Sequence, residues 1–209
     1  MADAVKKGPK GKAADSPPAG KNVLLCLTGG IACYKSAALA SRLVQAGVRV
    51  RVAMSAAAER FVTPLTFQAL TGRQVYTSLW QAGEDFDSQH LSLTGSADLM
   101  IIAPATADIM AKMAAGIADD LVSTLALSAH GACPILIAPA MNTRMWLAPP
   151  TQDNLARLKG WGIQVIGPEA GRLACGADGP GRMSEPEDIL AAATRILRAG
   201  RRAGKGKRG

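Results

Sequence analysis

Aromatic side chains are scarce in this chain: only 4% of its 209 residues are Phe, Trp or Tyr, although 48% are hydrophobic. A core must therefore be built from Ala, Leu, Ile and Val, which suits a buried parallel sheet covered by closely packed helices. The four cysteines, Cys26, Cys33, Cys133 and Cys175, and the two histidines show no CxxC or Cys/His ligand spacing, so no metal site is expected. Cys26 and Cys133 sit in or beside apolar runs and read as small core residues. No apolar run approaches membrane-spanning length, and the N-terminus has no signal-type apolar region. A cytoplasmic protein in a reducing compartment is the expectation. No internal repeat is evident, and a single domain is the expectation.

The net charge of +8 looks like a nucleic-acid footprint, but its placement argues otherwise. Residues 1–21 carry five Lys and two Asp, residues 198–209 carry six Lys or Arg and no acid, and the body between them is close to neutral. The basicity thus belongs to two Gly/Ala-rich tails, 1–20 and 199–209, which read as disordered and solubilising. The globular domain is expected over 21–198.

Within it, short apolar runs alternate with helical spacing. Strands are expected at Val23–Leu27, Val48–Met54, Leu99–Ala103, Pro134–Ala138 and Ile163–Ile166. Helices are expected between them, with a closing helix from Glu187 to Arg198, and residues 73–89 read as irregular. This alternation predicts one α/β domain: a doubly wound, Rossmann-like, mostly parallel sheet flanked by helices. In such a sheet ligands bind outside the carboxyl ends of the strands. That edge should collect Gly29, Gly30, Ser55, Thr106, Asp108 and Asn142.

Each of these residues has two readings. Thr28-Gly29-Gly30 between a strand and a helix aims backbone N–H groups at an anion, or is an ordinary tight turn. Asn142 reaches a ligand, or caps the turn Thr143–Trp146. His90 is a base, or a structural histidine. Leu173–Met183 (LACGADGPGRM) is a Gly-rich loop that presents a reactive Cys175, or a surface loop with an incidental thiol. With three glycines and a proline, it is expected to continue neither helix nor strand.

Taken together, TGGIACYKS (28–36), FVTPLTFQALTG (61–72), His90, APATADIMAKMAAGIADDL (103–121), APAMNTRMW (138–146) and ACGADGPGRM (174–183) give the chain its resemblance to the flavin-dependent cysteine decarboxylases. The likeness covers nearly the whole globular body and is strongest to the branch acting on 4'-phosphopantothenoylcysteine in coenzyme A biosynthesis. In bifunctional bacterial members a ligase half follows; here a basic tail follows the decarboxylase part. The resemblance implies FMN held by Gly29, Gly30, Ile31, Ser55, Thr106, Ala107, Asp108 and Ala140. It implies substrate contacts from Asn142, Met145 and Ala174, with Asn142 on the carboxylate. It implies His90 and Cys175 as catalytic residues, and a homotrimer or dodecamer with the site at a subunit interface. Where many members read SANT, this chain reads Thr106-Ala107-Asp108-Ile109, a form found in one bacterial branch.

Losing CO2 from a simple cysteine derivative leaves an unstabilised carbanion, and no side chain supplies the electron sink, so a cofactor is required. The resemblance implies oxidation of the substrate thiol to a thioaldehyde, departure of CO2, and reduction of the resulting enethiol to 4'-phosphopantetheine. Peptidyl-cysteine decarboxylation and flavin prenylation share the fold and remain alternatives. From another class, a regulatory flavoprotein that binds a phosphatase is disfavoured, since such relatives carry acidic extensions and these tails are basic.

Overall fold

The computed structural model describes residues 17–80, 89–172, 176 and 178–205; the side chains at 89–90 and 200–205 lie outside that description. Six strands form one sheet: β1 (Asn22–Leu27), β2 (Arg49–Met54), β3 (Val75–Tyr76), β4 (Leu99–Ala105), β5 (Ile135–Pro139) and β6 (Gln164–Val165). Their order is β3-β2-β1-β4-β5-β6, and every pair is parallel. The chain reverses direction across the sheet between β1 and β4. The carboxyl ends of those two strands therefore border the topological switch point, where open α/β sheets bind ligands.

Period-2 alternation sends the two sets of strand side chains into two cores. Val23, Leu25 and Leu27 of β1 and Leu99 and Ile101 of β4 face one side. There they pack with Leu39 and Leu43 of α1 (Cys33–Gln45), and with Ile189 and Ile196 of α9 (Pro186–Lys205). Leu24 and Cys26, with Met100 and Ile102, face the other. There they meet Leu93 of α4 (Gln89–Gly95), Ile109 and Met110 of α5 (Ala107–Ala115), and Leu125 of α6 (Leu121–Ala129). Leu158 of α8 (Pro149–Gly160) completes that layer. Covered on both faces, β1 is buried from Val23 to Leu27, which explains its unbroken apolar sequence. Each fully buried large aliphatic contributes roughly 1.5–3 kcal/mol.

Helix starts follow local chemistry. Thr106 Oγ1 accepts from the Ile109 N–H at 3.4 Å and caps α5. Asp120 and Ser123 form a reciprocal capping box for α6. Thr63 stands at the N-cap of α3 (Pro64–Thr71) but makes no side-chain cap bond; Pro64 alone sets that start. His130 is the C-cap of α6, and its ring meets Trp161 edge-on.

Three features differ from the sequence reading. Residues 73–89 were expected to be irregular, yet Val75–Tyr76 forms β3; two residues are too few to show a period. α9 continues to Lys205, into the stretch expected to be an unstructured tail from 199. The expectation that 173–183 could hold no strand is overturned. β7 (Glu169–Arg172) and β8 (Asp178–Arg182) form an antiparallel hairpin. Gly179 and Gly181 are inside β8 because another segment of backbone lies against it, a recognised use of strand glycine. Their φ angles, 153° and 148°, are in the region that favours glycine. Pro180 is tolerated because a two-stranded ribbon leaves an outer edge that needs no donor.

Candidate functional site

Thr28 follows β1 directly, and its buried hydroxyl donates to the Pro104 carbonyl at 2.7 Å while accepting the Thr106 N–H at 3.2 Å. One side chain thus joins the carboxyl ends of β1 and β4. A register shift between Ile102 and Ala105 carries Thr106 into place. Beside this junction Gly29 passes so near α2 (Ala56–Glu59) that a Cβ there would collide with the Cβ of Ala57. The turn then enters α1, whose N-cap, Ala32, offers no side-chain acceptor. Among the described residues the backbone N–H groups of Gly29, Gly30, Ile31 and Ala32 have no protein acceptor. Donors concentrated at a helix N-terminus favour an anion.

This junction is the floor of a cleft of about 1050 Å3. Gly29, Gly30, Ile31, Ser55, Thr106, Ala107, Asp108 and Ala140, the positions expected to hold a cofactor, all line it. Ser55 caps α2 by accepting from the Ala58 N–H at 3.3 Å, so its hydroxyl remains able to donate. Ala140 reaches the cleft because its N–H bonds the Ala105 carbonyl at 3.0 Å, which extends the β4–β5 pairing past the sheet edge.

Asn142 and Met145 also line the cleft. Asn142 caps α7 (Thr143–Trp146), accepting from the Arg144 N–H at 2.8 Å. The capping reading therefore holds, and the capped residue also borders the cavity. Met145 is half-exposed beside it. The hairpin closes the same end of the cleft through Arg172, Gly181, Arg182 and Met183. The remaining predicted residues are not placed. Ala174 and Cys175 lie outside the described residues, and His90 stands in the first turn of α4 with its side chain outside them.

Charged residues that the sequence reading passed over complete the lining. Lys35, one turn into α1, is buried and donates to Glu185 Oε1 at 2.8 Å and to the Met183 carbonyl at 3.0 Å. The hydrogen bond from the Lys35 ammonium holds the Glu185 carboxyl below the usual range, against the opposing effect of burial. Lys112 lies 3.0 Å from both Asp119 and Asp120 and 3.4 Å from Asp108. Burial alone would lower its ammonium, but hydrogen bonds to Asp119 and Asp120 hold it above its ordinary value. The signals were a lysine on the apolar face of α1 and an Asp-x-x-x-Lys spacing on α5, both readable equally as ordinary helix surface.

The described thiols are poor nucleophiles. Burial pushes Cys26, Cys33 and Cys133 up, and Cys33 Sγ donates to the Thr28 carbonyl at 3.2 Å. Among the described residues no cluster of His, Cys, Asp and Glu forms a metal site, and no helix is long and apolar enough to cross a membrane.

Comparison with known proteins places this geometry. The bifunctional coenzyme A biosynthesis protein CoaBC of Vibrio vulnificus (strain YJ016) is 47% identical over 173 residues, which cover 83% of this chain and 43% of that protein. The Bacillus subtilis (strain 168) CoaBC is 48% identical over 170 residues, 81% of this chain and 41% of its own length. The chain therefore spans less than half the length of these curated relatives. Among solved structures, a PPC decarboxylase variant complexed with pantothenoylaminoethenethiol superposes with a TM-score of 0.75 at 29% identity, covering 86% of this chain and 98% of that one. A family model described as Flavoprotein matches residues 13–198, the whole sheet and both layers of helices, and the chain belongs to that family.

Proposed function

We propose that this chain is an FMN-dependent carboxy-lyase that converts 4'-phosphopantothenoylcysteine to 4'-phosphopantetheine in the cytoplasm. The observation that carries the reading is the convergence of the donor-rich Gly29–Ala32 turn, Asn142 and the β7–β8 hairpin on one cleft at the switch point. The CoaBC relatives and the structure solved with an enethiol support the substrate class.

The residues present fit FMN. The turn at 29–32 offers backbone donors without protein acceptors, suited to its phosphate. Ser55 and Thr106 bring hydroxyls to the ends of β2 and β4, on either side of β1, and the cleft of about 1050 Å3 has room for a substrate as well. When bound, FMN would supply the two-electron oxidation of the substrate thiol that makes loss of CO2 feasible. Asn142, oriented by its cap, would hold the cysteine carboxylate. His90 would handle the proton of the early step, and Cys175 would deliver the final proton to the enethiol. Ala174 and Met145 would flank the substrate. The reading extends to assembly as a trimer or a dodecamer, supported by Ile31 and Tyr34, which border the cleft yet are 59% and 61% exposed.

The test is an absorbance spectrum of the purified protein, reconstituted with FMN where needed, followed by CO2 release from 4'-phosphopantothenoylcysteine. Bound flavin with CO2 release supports the reading. Flavin without CO2 release from that substrate, but with release from a cysteine-ended peptide, moves it to peptidyl-cysteine decarboxylation. Failure to hold flavin overturns it.

A further inference from the structure

The apolar face of α9, made of Ile189, Ala192, Ala193, Ile196 and Leu197, packs on the core and ends at Leu197. The helix runs on to Lys205. From Ile189 to Gly209 the chain carries five Arg, two Lys and no acid, and after Leu197 it contains only Arg, Lys, Ala and Gly. Arg195, Arg198, Arg202 and Lys205 follow one another at intervals of three, four and three residues. That spacing puts the four positions on one face of the helix, opposite the apolar one. At 1.5 Å per residue the row is about 15 Å long. Arg195 and Arg198, where it begins, are exposed. The acids of the first turn, Glu187 and Asp188, lie about two turns earlier, and Glu187 is paired with Arg42.

Cations suit the last turns of a helix, but like charges at these spacings repel one another, so an anionic partner stabilises the row. Arginine grips a phosphate through two parallel N–H donors. A membrane surface fits less well, because an interfacial helix inserts apolar side chains and those of α9 are committed to the core. A single-stranded nucleic acid fits less well too, because no aromatic residue follows Leu197 for a base to stack on. A straight basic helix matches the major groove of a DNA duplex and the phosphates that border it. We propose that the C-terminal half of α9 is a docking surface for the phosphate backbone of duplex DNA, which it holds without reading sequence. Among the described residues, none of α9 lines the cleft, so this surface is independent of the decarboxylase reading.

The experiment titrates the flavin-loaded full chain into a fluorescently labelled DNA duplex of about 20 base pairs and follows anisotropy. Four phosphate contacts predict a slope of roughly −3 to −4 in log affinity against log salt, about a hundredfold loss between about 50 and 200 mM. Two duplexes of unrelated sequence are expected to bind within about twofold of each other. Arg198→Gln/Arg202→Gln/Lys205→Gln should weaken binding at least tenfold and flatten the salt slope. A second variant, Arg198→Ala/Ala199→Arg/Arg202→Ala/Ala203→Arg, keeps the net charge but moves two cations off the row. It is expected to lose at least about fivefold, because the face and not the charge total makes the site. No binding by wild type, equal binding by the charge-conserving variant, or stronger binding to phosphatidylserine vesicles than to the duplex overturns the assignment. Flavin content and CO2 release are followed in parallel and should match wild type in both variants. Loss of flavin in them would make the end of α9 a structural part of the flavoprotein, which also overturns the assignment. Absence of CO2 release in wild type alongside salt-sensitive duplex binding refutes the decarboxylase reading alone.

Discussion

Met141 donates its backbone N–H to the carbonyl of Gly181 at 3.0 Å, tying the turn that carries Asn142 to the hairpin that carries Arg172. The approach is close on both sides of this bond. A Cβ at Gly181 would collide with the Met141 carbonyl oxygen, and one at Gly179 would come within 2.7 Å of Thr143 Oγ1. Two segments that border the cleft are therefore a single packed unit.

Gly181→Ala should accordingly damage the site more than Gly179→Ala. Both carry a backbone penalty of roughly 1–3 kcal/mol at their positive φ. The obstacle at 181 is backbone, which cannot turn aside, whereas the obstacle at 179 is one side chain. CO2 release is expected to fall by more than tenfold in Gly181→Ala and by less in Gly179→Ala, and shortening Thr143 to Ser should recover part of the Gly179→Ala loss. Equal losses in the two glycine variants would show that the close backbone approach does not matter.

The cofactor turn allows a similar separation. Gly29 does not have a positive φ, so its intolerance of a side chain is a matter of space alone. Gly29→Ala is expected to lose FMN affinity at least tenfold. Ala57→Gly, which removes the Cβ nearest to the clash, should restore some of it, although the Ala57 carbonyl carbon still lies 3.0 Å away. Flavin fluorescence during titration measures both. A Gly29→Ala protein that binds FMN normally would remove this turn from the cofactor site.

How much of this was legible in the sequence depends on the separation of the partners. The strand edge was legible because each contributing residue follows an apolar run within two positions: Gly29 after β1, Ser55 after β2, Thr106 after β4 and Ala140 after β5. Lys35 and Glu185, 150 positions apart, were not. Nothing local marks one as the partner of the other. The hairpin was misread because glycine was taken as a strand breaker, and only the tertiary approach of Met141 and Thr143 makes Gly179 and Gly181 necessary. Local pattern thus revealed where ligands gather, while the ion pairs and backbone contacts that shape the cleft needed the folded chain.

Asp98 gives the start of the sheet an acid-sensitive tie. It accepts from the Asn22 N–H at 2.8 Å and from Lys21 Nζ at 2.6 Å, joining the beginning of β1 to the residue before β4. Burial alone would raise its carboxyl; the Asn22 N–H and the Lys21 ammonium outweigh that and hold it below its ordinary value of 3.8. A carboxyl lowered on folding contributes stability above its unfolded value and loses it as the pH falls through the folded value. Wild type should therefore exceed Asp98→Asn by about 1 kcal/mol in urea unfolding at neutral pH, with the gap closing below 3.8. A gap that persists undiminished in acid would place the effect in packing rather than charge.

The aspartates around Lys112 predict a salt-dependent defect. Lys112→Met would leave Asp108, Asp119 and Asp120 facing one another without their shared cation. The Asp119 carboxyl, held low chiefly by its hydrogen bond to Lys112, should move up towards its ordinary value. Stability should drop by about 1–2 kcal/mol at low salt and recover in part near ~1 M salt, where repulsion is screened. A loss independent of salt would assign Lys112 to packing through its aliphatic stem.

The proposed division of proton handling separates Cys175 from His90 in time, and so in phenotype. If Cys175 gives the last proton, Cys175→Ser should still release CO2 in a single turnover, because that step precedes it. It should then retain the enethiol and yield no 4'-phosphopantetheine. If His90 acts early, His90→Asn should release no CO2 while holding flavin at the wild-type level. The two variants therefore differ in whether CO2 appears at all, which a single-turnover assay with trapped gas and mass analysis of the bound product reads directly. Normal 4'-phosphopantetheine formation by Cys175→Ser would remove Cys175 from the reaction. A His90→Asn protein that has shed its flavin would make His90 a structural support of the cofactor site, and the early proton would then need another residue.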